Sequence, residues 1–260
     1  MLQKKIFIGA GIGIALLGGI PFLVSADHSW GGYHWARTAN PLTLSLGDNL
    51  SSAWDPYLVT TSSDWSISSA LDTTIVPGTA FRHRSPNLDC GPVLGTVQVC
   101  NKAYGKNGWL GIASVWVSGD HITQGTTKLN DTYFKTTKYN TPEWKNFVMC
   151  QEVGHTIGLD HQDEAFDNAN LDTCMDYTSN PATNQHPNAH DYAMLEEIYA
   201  HVDTTATALL QSPASAGAEA GEHPGDWGRE VRKSKDGNVS LYVKELKKGE
   251  SVFTFVVWAN

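Results

Sequence analysis

The sequence predicts an α+β fold in which a strand-rich region precedes two helices and a small β unit closes the chain. Three observations predict it. Short alternating or β-branched runs follow one another between residues 42 and 134. Two helical patterns lie between residues 141 and 201, and three more short apolar runs follow residue 226.

The strand predictions rest on alternation, β-branched content and turn residues. The predicted strands are Leu42 to Leu46, Asp72 to Val76, Thr96 to Cys100, Leu110 to Val117 and His121 to Leu129, with Thr132 to Phe134 extending the same strand-rich region. Asn107-Gly108 suits a turn between the third and fourth of them. A helix of weak periodicity is predicted around Trp54 to Ser69.

Two further helices have clearer signals. Thr141-Pro142-Glu143 combines a capping hydroxyl, a proline in the first turn and an acid at the positive helix end. The helix that starts there continues through His155, and Gly158 supplies its stop. The last helix is predicted from about His190 to His201.

The C-terminal region divides into a linker and a β unit. Residues 204–225 are rich in Ala, Ser, Gly and Pro, which is typical of a flexible linker. The predicted strands beyond it are Trp227 to Ser234, Ser240 to Glu245 and Val252 to Trp258, with Asp236-Gly237 as the first turn. Both faces of the last strand are apolar, and so small a unit rarely folds alone. We therefore expect residues 226–260 to pack on the main domain or on a partner.

Composition limits the classes of function. The chain has 260 residues, 41% of them hydrophobic, with nine Trp, and a formal net charge of −9. It holds enough apolar side chains for a sizeable core, and it has no long basic run that would bind nucleic acid. Collagen-like, coiled-coil and multi-span membrane classes are excluded by composition and by the absence of repeats.

The N-terminal residues 1–26 have the order of a secretory signal peptide. Lys4 and Lys5 precede an apolar stretch, and Val24-Ser25-Ala26 offers a cleavage site. The alternative is an uncleaved anchor, which five glycines and a proline in the stretch disfavour. We expect a secreted or cell-surface protein that has no stable membrane span after cleavage.

The four cysteines fit that compartment. An even count in a secreted chain predicts two disulfides, and four cysteines allow three pairings. Cys90 with Cys100, across a short loop, and Cys150 with Cys174 form the pairing that we favour.

The main chemical signal is the segment from Gln151 to His161, whose sequence is QEVGHTIGLDH. Gln151 and His155 share one helix face, with Glu152 beside them. A left-handed Gly158 can turn the chain so that His161 returns towards His155. Two imidazoles and a third donor then meet at one metal ion, where the metal acidifies a water and the carboxylate accepts its proton.

This segment resembles the zinc-binding consensus H-E-x-x-H-x-x-G-x-x-H of the metzincin metalloproteases. Its flanks are similar to matrixin-like members secreted by bacteria and archaea, and Cys174-Met175-Asp176-Tyr177 resembles the Met-turn beneath the metal. The resemblance extends more loosely from Leu42 to about His201. It implies a twisted mixed β-sheet with two long helices and an active-site cleft, in a catalytic domain of residues 27–203.

The resemblance also implies residue roles. Zinc is held by Gln151, His155 and His161, Glu152 is the general base, and Tyr177 is a further ligand or transition-state donor. Met175 is a platform, and a Cys150–Cys174 bridge would brace the metal site. A strand near the sheet edge pairs with extended peptide in such enzymes, and His121 to Leu129 is the equivalent expected here.

The chain departs from the consensus at its first ligand, where Gln151 replaces histidine. An amide oxygen is a weaker zinc donor than an imidazole. Three compensations are open: Gln151 ligates through its oxygen, Tyr177 ligates as in astacin-like and serralysin-like metzincins, or His186 or His190 approaches.

Two weaker metal signals remain. The oxygen-rich stretch Asp160 to Asp176 is either a calcium site or a solvated acidic loop, although its spacing fits no EF-hand. His186, His190 and His201 are either a second metal site or surface or capping residues.

The expected function is that of a monomeric, secreted zinc endopeptidase acting on a protein or peptide substrate. The alternative is a catalytically silent protein of the same fold that binds peptide or protein. A third possibility is a cell-surface interaction protein in which the C-terminal β unit does the binding.

Overall fold

The computed structural model describes residues 28–79, 90–209, 212–213 and 220–259. The signal-peptide prediction for residues 1–26 lies outside them. No helix in these described ranges is both long enough and apolar enough to span a bilayer.

The described residues form both helices and strands. The helices are α1 (Asp55–Trp65), α2 (Asp131–Phe134), α3 (Pro142–Thr156) and α4 (Ala189–Ile198). The strands are β1 (His34–Trp35), β2 (Leu42–Asn49), β3 (Leu71–Pro77), β4 (Val93–Leu94), β5 (Thr96–Lys102), β6 (Trp109–Ser118), β7 (His121–Asn130), β8 (Ser212–Pro213), β9 (Arg229–Lys233), β10 (Val239–Glu245) and β11 (Glu250–Trp258).

One mixed sheet organises the molecule. Its nine strands include the path β3-β2-β5-β7-β6-β11-β10-β9, with β1 beside the start of β7. Strands β3, β2, β5 and β7 run parallel, and every pair from β7 to β9 along the path is antiparallel. A separate two-stranded ladder joins β4 to β8. The expectation of an α+β protein with a large mixed sheet is confirmed.

The five main predicted strands and the three helices of the sequence analysis are all present, with ends shifted by a few residues. The strand expected at Thr132 to Phe134 is wrong, because these residues form α2. Asn130 causes this change: its side chain accepts a hydrogen bond from the Thr132 N–H and so starts a helical turn.

The strand order corrects two further expectations. Strands β5 and β6 do not form a hairpin about Asn107-Gly108, because β7 lies between them. The expectation that His121 to Leu129 lies near the sheet edge and pairs with peptide is also wrong. This segment forms β7, which pairs with β5 on one side and with β6 on the other. The next strand beyond β7 is β6, and β11 pairs with the other edge of β6.

Both faces of the sheet are covered, which explains why β6 and β11 are apolar on both sides. One face packs against α1 and α3 in the large core, to which Phe255 and Val257 contribute. The opposite face carries a smaller cluster that contains Trp109, Trp227 and Val256. Adjacent strand residues point to opposite faces, so β11 serves both clusters at once.

The C-terminal β unit packs on the main domain, as its small size requires. Strand β11 pairs antiparallel with β6 from Glu250 opposite Ser118 to Trp258 opposite Trp109. The unit therefore extends the main sheet rather than forming a separate body.

The two favoured cysteine pairs both lie at disulfide distance. Cys90 is bonded to Cys100, and Cys150 on α3 is bonded to Cys174. The second bridge fastens the middle of α3 to the loop that carries Met175.

Candidate metal centre

The end of α3 is built to bring two histidines together. Thr141 caps the helix by accepting a hydrogen bond from the Trp144 N–H. Gly158, just beyond the helix, has φ +104°, and a Cβ there would lie 2.5 Å from the carbonyl oxygen of Tyr33. Only glycine suits both conditions. The turn returns His161 to His155, and their ring centroids are 4.4 Å apart.

His155 is held as a neutral imidazole with one free nitrogen. Its Nδ1 lies 2.9 Å from the Leu159 carbonyl oxygen, which can only accept, so Nδ1 carries the hydrogen. Its buried Nε2 has no hydrogen-bond partner among the described residues. Burial lowers the pKa of His155 well below its ordinary value, and the neighbouring His161 lowers it further. This is the state and orientation in which histidine binds a metal.

His161 lies beside a carboxylate, which contacts one ring nitrogen without forming a hydrogen bond of good geometry. Its Nδ1 lies 3.2 Å from Asp160 Oδ1, and within the described part of the chain its Nε2 is buried without a partner. Burial lowers the pKa of His161, although the Asp160 carboxylate opposes this shift. Arg232 of β9 fixes Asp160 in turn, through contacts of 2.5 and 2.7 Å.

Gln151 lies on the same buried face of α3. Its Nε2 donates a hydrogen bond of 2.9 Å to the carbonyl oxygen of Cys174, which sets the orientation of the amide. Its Oε1 is buried and has no partner in the residues that the structure describes. The free atom is therefore the oxygen, which is the atom that can bind a cation.

Glu152 lies beside these donors, fully buried against β6. A Cβ on Gly111 would lie 2.6 Å from Glu152 Oε1, so this glycine leaves room for the carboxyl group. Neither carboxyl oxygen has a hydrogen-bond partner among the residues described. Burial raises the pKa of Glu152 well above its ordinary value. A carboxyl group so placed can both take up and release a proton.

Tyr177 and Met175 complete the cluster. The Tyr177 ring lies 4.1 Å from that of His161, and its buried hydroxyl finds no partner in the described ranges. Burial raises the pKa of Tyr177 well above its ordinary value, so the hydroxyl keeps its proton. Met175 packs under α3 so closely that a Cβ on Gly154 would lie 2.5 Å from its Sδ.

The chemical types of these donors are ones that zinc accepts. An unpaired buried polar atom costs about 1–3 kcal/mol, so proteins rarely leave several of them in one place. Here the unpaired atoms include two histidine Nε2 atoms, an amide oxygen, a carboxyl group and a phenol hydroxyl, all among the described residues. Two neutral imidazoles with oxygen donors are ligands that zinc accepts.

Two of the substitutes considered for the missing histidine have other neighbours. His186 is about half exposed, and its Nδ1 lies 2.7 Å from Asp64 Oδ2. His190 stacks on His28, with centroids 4.8 Å apart. The structure thus brings Gln151 and Tyr177 to the site, and it places His186 and His190 with other partners. The third histidine of the suggested second metal site, His201, contacts Asp203, with its Nε2 3.5 Å from Oδ1.

The C-terminal β unit covers the site, which local sequence patterns do not predict. Phe255 of β11 stacks on the His155 ring, with centroids 4.1 Å apart and planes 9° apart. Arg232 of β9 binds Asp160 and also Glu164, at 3.0 Å from its Nε. The apolar residues on both faces of the last strand predict that it packs against another surface. They do not identify that surface as the His155 site.

An acidic groove of about 770 Å³ lies beside the covered cluster. Its lining includes Asp163, Glu164 and Phe166 from the loop after α3, and Lys235 from the β9–β10 turn. Asp163 already accepts hydrogen bonds from the Ala165 N–H and from Asn168. The calcium prediction for this loop stays a prediction.

The comparisons with known proteins add no family assignment. No protein-family model matches the chain, and no curated protein matches it either. The chemistry of the site therefore has to carry the functional conclusion.

Proposed function

We propose that this protein is a secreted zinc-dependent endopeptidase of metzincin type, with Gln151, His155 and His161 as the zinc ligands. The observation that carries the proposal is the pair of buried histidines whose Nε2 atoms have no partner in the described residues, next to the buried Glu152. Two disulfide-bonded cysteine pairs support the extracellular location.

Each residue of the site has a role in peptide hydrolysis. Zinc, when bound, supplies Lewis acidity that activates a water molecule and polarises the scissile carbonyl. Glu152 accepts the proton of the attacking water and passes it to the leaving amine, a role that its raised pKa suits. Tyr177 keeps its hydroxyl proton and can donate a hydrogen bond to the developing oxyanion.

The peptidase is proposed to be latent while β9–β11 stays in place. An extended substrate adds to a free sheet edge by main-chain hydrogen bonds, and the β6 edge nearest Glu152 is already paired with β11. Phe255 lies directly against His155. Peptide can reach the site only when the β9–β11 segment moves away, so weakening its two contacts with the site should release activity.

The test compares Arg232→Ala/Phe255→Ala with the same variant carrying Glu152→Gln, using a library of internally quenched peptides. We expect that the double variant cleaves peptides, and that this cleavage is lost with Glu152→Gln and on chelation of the metal. Arg229→Ala/Val256→Ala is the matched control, because Arg229 is an exposed residue of β9 and Val256 packs on the opposite face of β11. Cleavage that survives Glu152→Gln would contradict the proposed mechanism.

A silent peptide-binding protein is the second candidate, and Gln151 favours it because an amide is a poor substitute for a ligand histidine. If the protein is such a binder, we expect Arg232→Ala/Phe255→Ala to bind peptides from the library without cleaving them. We also expect that Gln151→His, added to the double variant, creates or strongly increases cleavage.

A further inference from the structure

A second group of metal-binding side chains lies where three segments meet. His34 of β1, His121 at the start of β7 and Asp203 beyond α4 form a group that could hold a metal ion. The His201 ring also contacts Asp203. The Nε2 atoms of His34, His121 and His201 lie 3.6, 3.2 and 3.5 Å from Asp203 Oδ1. The Nε2 atoms of His34 and His201 are 3.2 Å apart.

Backbone pairing sets this arrangement. His34 is the register partner of His121 in the parallel pairing of β1 with β7, so the two side chains leave the sheet together. The Asp203 N–H donates a hydrogen bond of 2.7 Å to the Arg37 carbonyl oxygen, which holds the segment after α4 against the end of β1. The group is thus built by the fold rather than by one mobile loop.

Neighbouring groups orient the ligand atoms. The Nδ1 of His34 lies 3.0 Å from the carbonyl oxygen of Gly32, and this contact fixes the ring so that Nε2 faces Asp203. The other oxygen of Asp203, Oδ2, accepts from the Arg37 N–H at 3.0 Å and lies 3.4 Å from Arg37 Nη1. Arg37 also donates to the carbonyl of His201. Such secondary hydrogen bonds are typical of metal ligands.

Hydrogen bonds link the members in pairs: His121 Nε2 lies 3.2 Å from Asp203 Oδ1, and His201 Nε2 lies 3.2 Å from His34 Nε2. His34 Nε2 and Asp203 Oδ1 face each other at 3.6 Å in a largely buried place. A cation held between these atoms would be attracted to all of them. Zn–N distances of about 2.0–2.1 Å in a tetrahedron place the ligand atoms about 3.3–3.4 Å apart. The separations of His34, His121 and His201 Nε2 from Asp203 Oδ1, and of His34 Nε2 from His201 Nε2, are 3.2 to 3.6 Å and match that spacing.

We propose that His34, His121, His201 and Asp203 bind a structural zinc ion. Three imidazoles and a carboxylate suit zinc, whereas calcium and magnesium prefer all-oxygen sites. Four protein ligands leave no open position, so this ion would be structural. It would fasten β1 and the segment beyond α4 to the start of β7, and it is independent of the Gln151, His155 and His161 site.

Native mass spectrometry of the full chain tests the proposal. The protein is produced with Zn²⁺, washed with a mild chelator, and its zinc ions are counted. Wild type is expected to hold two, and His121→Ala and His201→Gln one each. The His201 side chain is 55% exposed, so its replacement should leave the fold intact, which circular dichroism checks. His186→Ala is the matched control, because that histidine is 54% exposed and lies beside Asp64.

The outcomes separate this proposal from the peptidase proposal. A zinc ion that is lost in His121→Ala and His201→Gln but kept in His155→Ala supports the structural site, even if wild type holds only that one. Unchanged zinc counts in folded His121→Ala and His201→Gln would overturn it. Loss of this zinc ion should also lower the melting temperature of the protein. A chelator should therefore lower the melting temperature of wild type by more than it lowers that of His201→Gln.

Discussion

Gln151 donates its amide hydrogen to the carbonyl oxygen of Cys174 at 2.9 Å and thereby keeps its own oxygen free in the buried site. The contact spans 23 positions in the chain and is reinforced by the Cys150–Cys174 bridge one residue away. The position that departs most from the metzincin consensus is therefore oriented as an oxygen donor.

The ligand role of Gln151 predicts the effect of replacing it. Gln151→His should raise zinc affinity by at least about 10-fold, because imidazole is the better donor. Gln151→Leu, which has a similar volume but no donor, should lower the affinity. Competition against a chromophoric chelator measures both. Equal affinities in the three proteins would show that residue 151 does not bind the metal.

The general-base role predicts that zinc binding and catalysis can be separated. Glu152→Gln should keep the zinc ion, because Glu152 is not a ligand, and should reduce cleavage by the Arg232→Ala/Phe255→Ala variant by about 10²–10⁴-fold. Zinc content and initial rates are measured on the same samples. Loss of zinc together with activity would instead make Glu152 part of the metal site.

The close packing of Met175 under α3 predicts a large cost for one methyl group. Gly154→Ala would place its Cβ 2.5 Å from Met175 Sδ and 2.9 Å from the Trp65 ring. Overpacking of this kind costs about 1–3 kcal/mol of unfolding free energy. Gly225→Ala is the control, since a Cβ there has no atom within 4 Å. Urea denaturation of the two variants should differ; equal midpoints would contradict this close packing.

The Cys150–Cys174 bridge predicts a coupled loss of stability and metal. It closes a loop of 24 residues, for which chain entropy gives about 3 kcal/mol. Cys150→Ser/Cys174→Ser should unfold at lower urea and bind zinc less tightly, because Gln151 is anchored on Cys174. Cys90→Ser/Cys100→Ser should lose stability while its affinity at the Gln151 site stays unchanged. Equal zinc affinity in both variants would contradict the bracing role.

Local patterns predicted most elements, while contacts distant in sequence were beyond their reach. Thr141-Pro142 and Gly158 mark the two ends of α3 because caps and stops are local signals. The position of β7 inside the sheet was missed because alternation gives a strand but not its neighbours. Asn130 was overlooked as a helix cap, which made α2 look like strand.

The same limit applies to the sites. The spacing of Gln151, Glu152, His155 and His161 predicted one cluster, since a helix and one turn bring these residues together. Phe255 reaches His155 across 100 positions, and no local pattern contains that information. The group proposed to bind structural zinc spans residues 34 to 203. Of its members the sequence analysis gave only His201 as a candidate metal ligand, and grouped it with His186 and His190.

Anomalous diffraction at the zinc edge, from crystals of the protein grown with Zn²⁺, shows directly whether zinc binds between His155 and His161. We expect a peak bonded to the Nε2 atoms of His155 and His161 and to Gln151 Oε1, which disappears in His155→Ala. A fully zinc-saturated crystal with no peak between these two histidines would contradict the zinc peptidase.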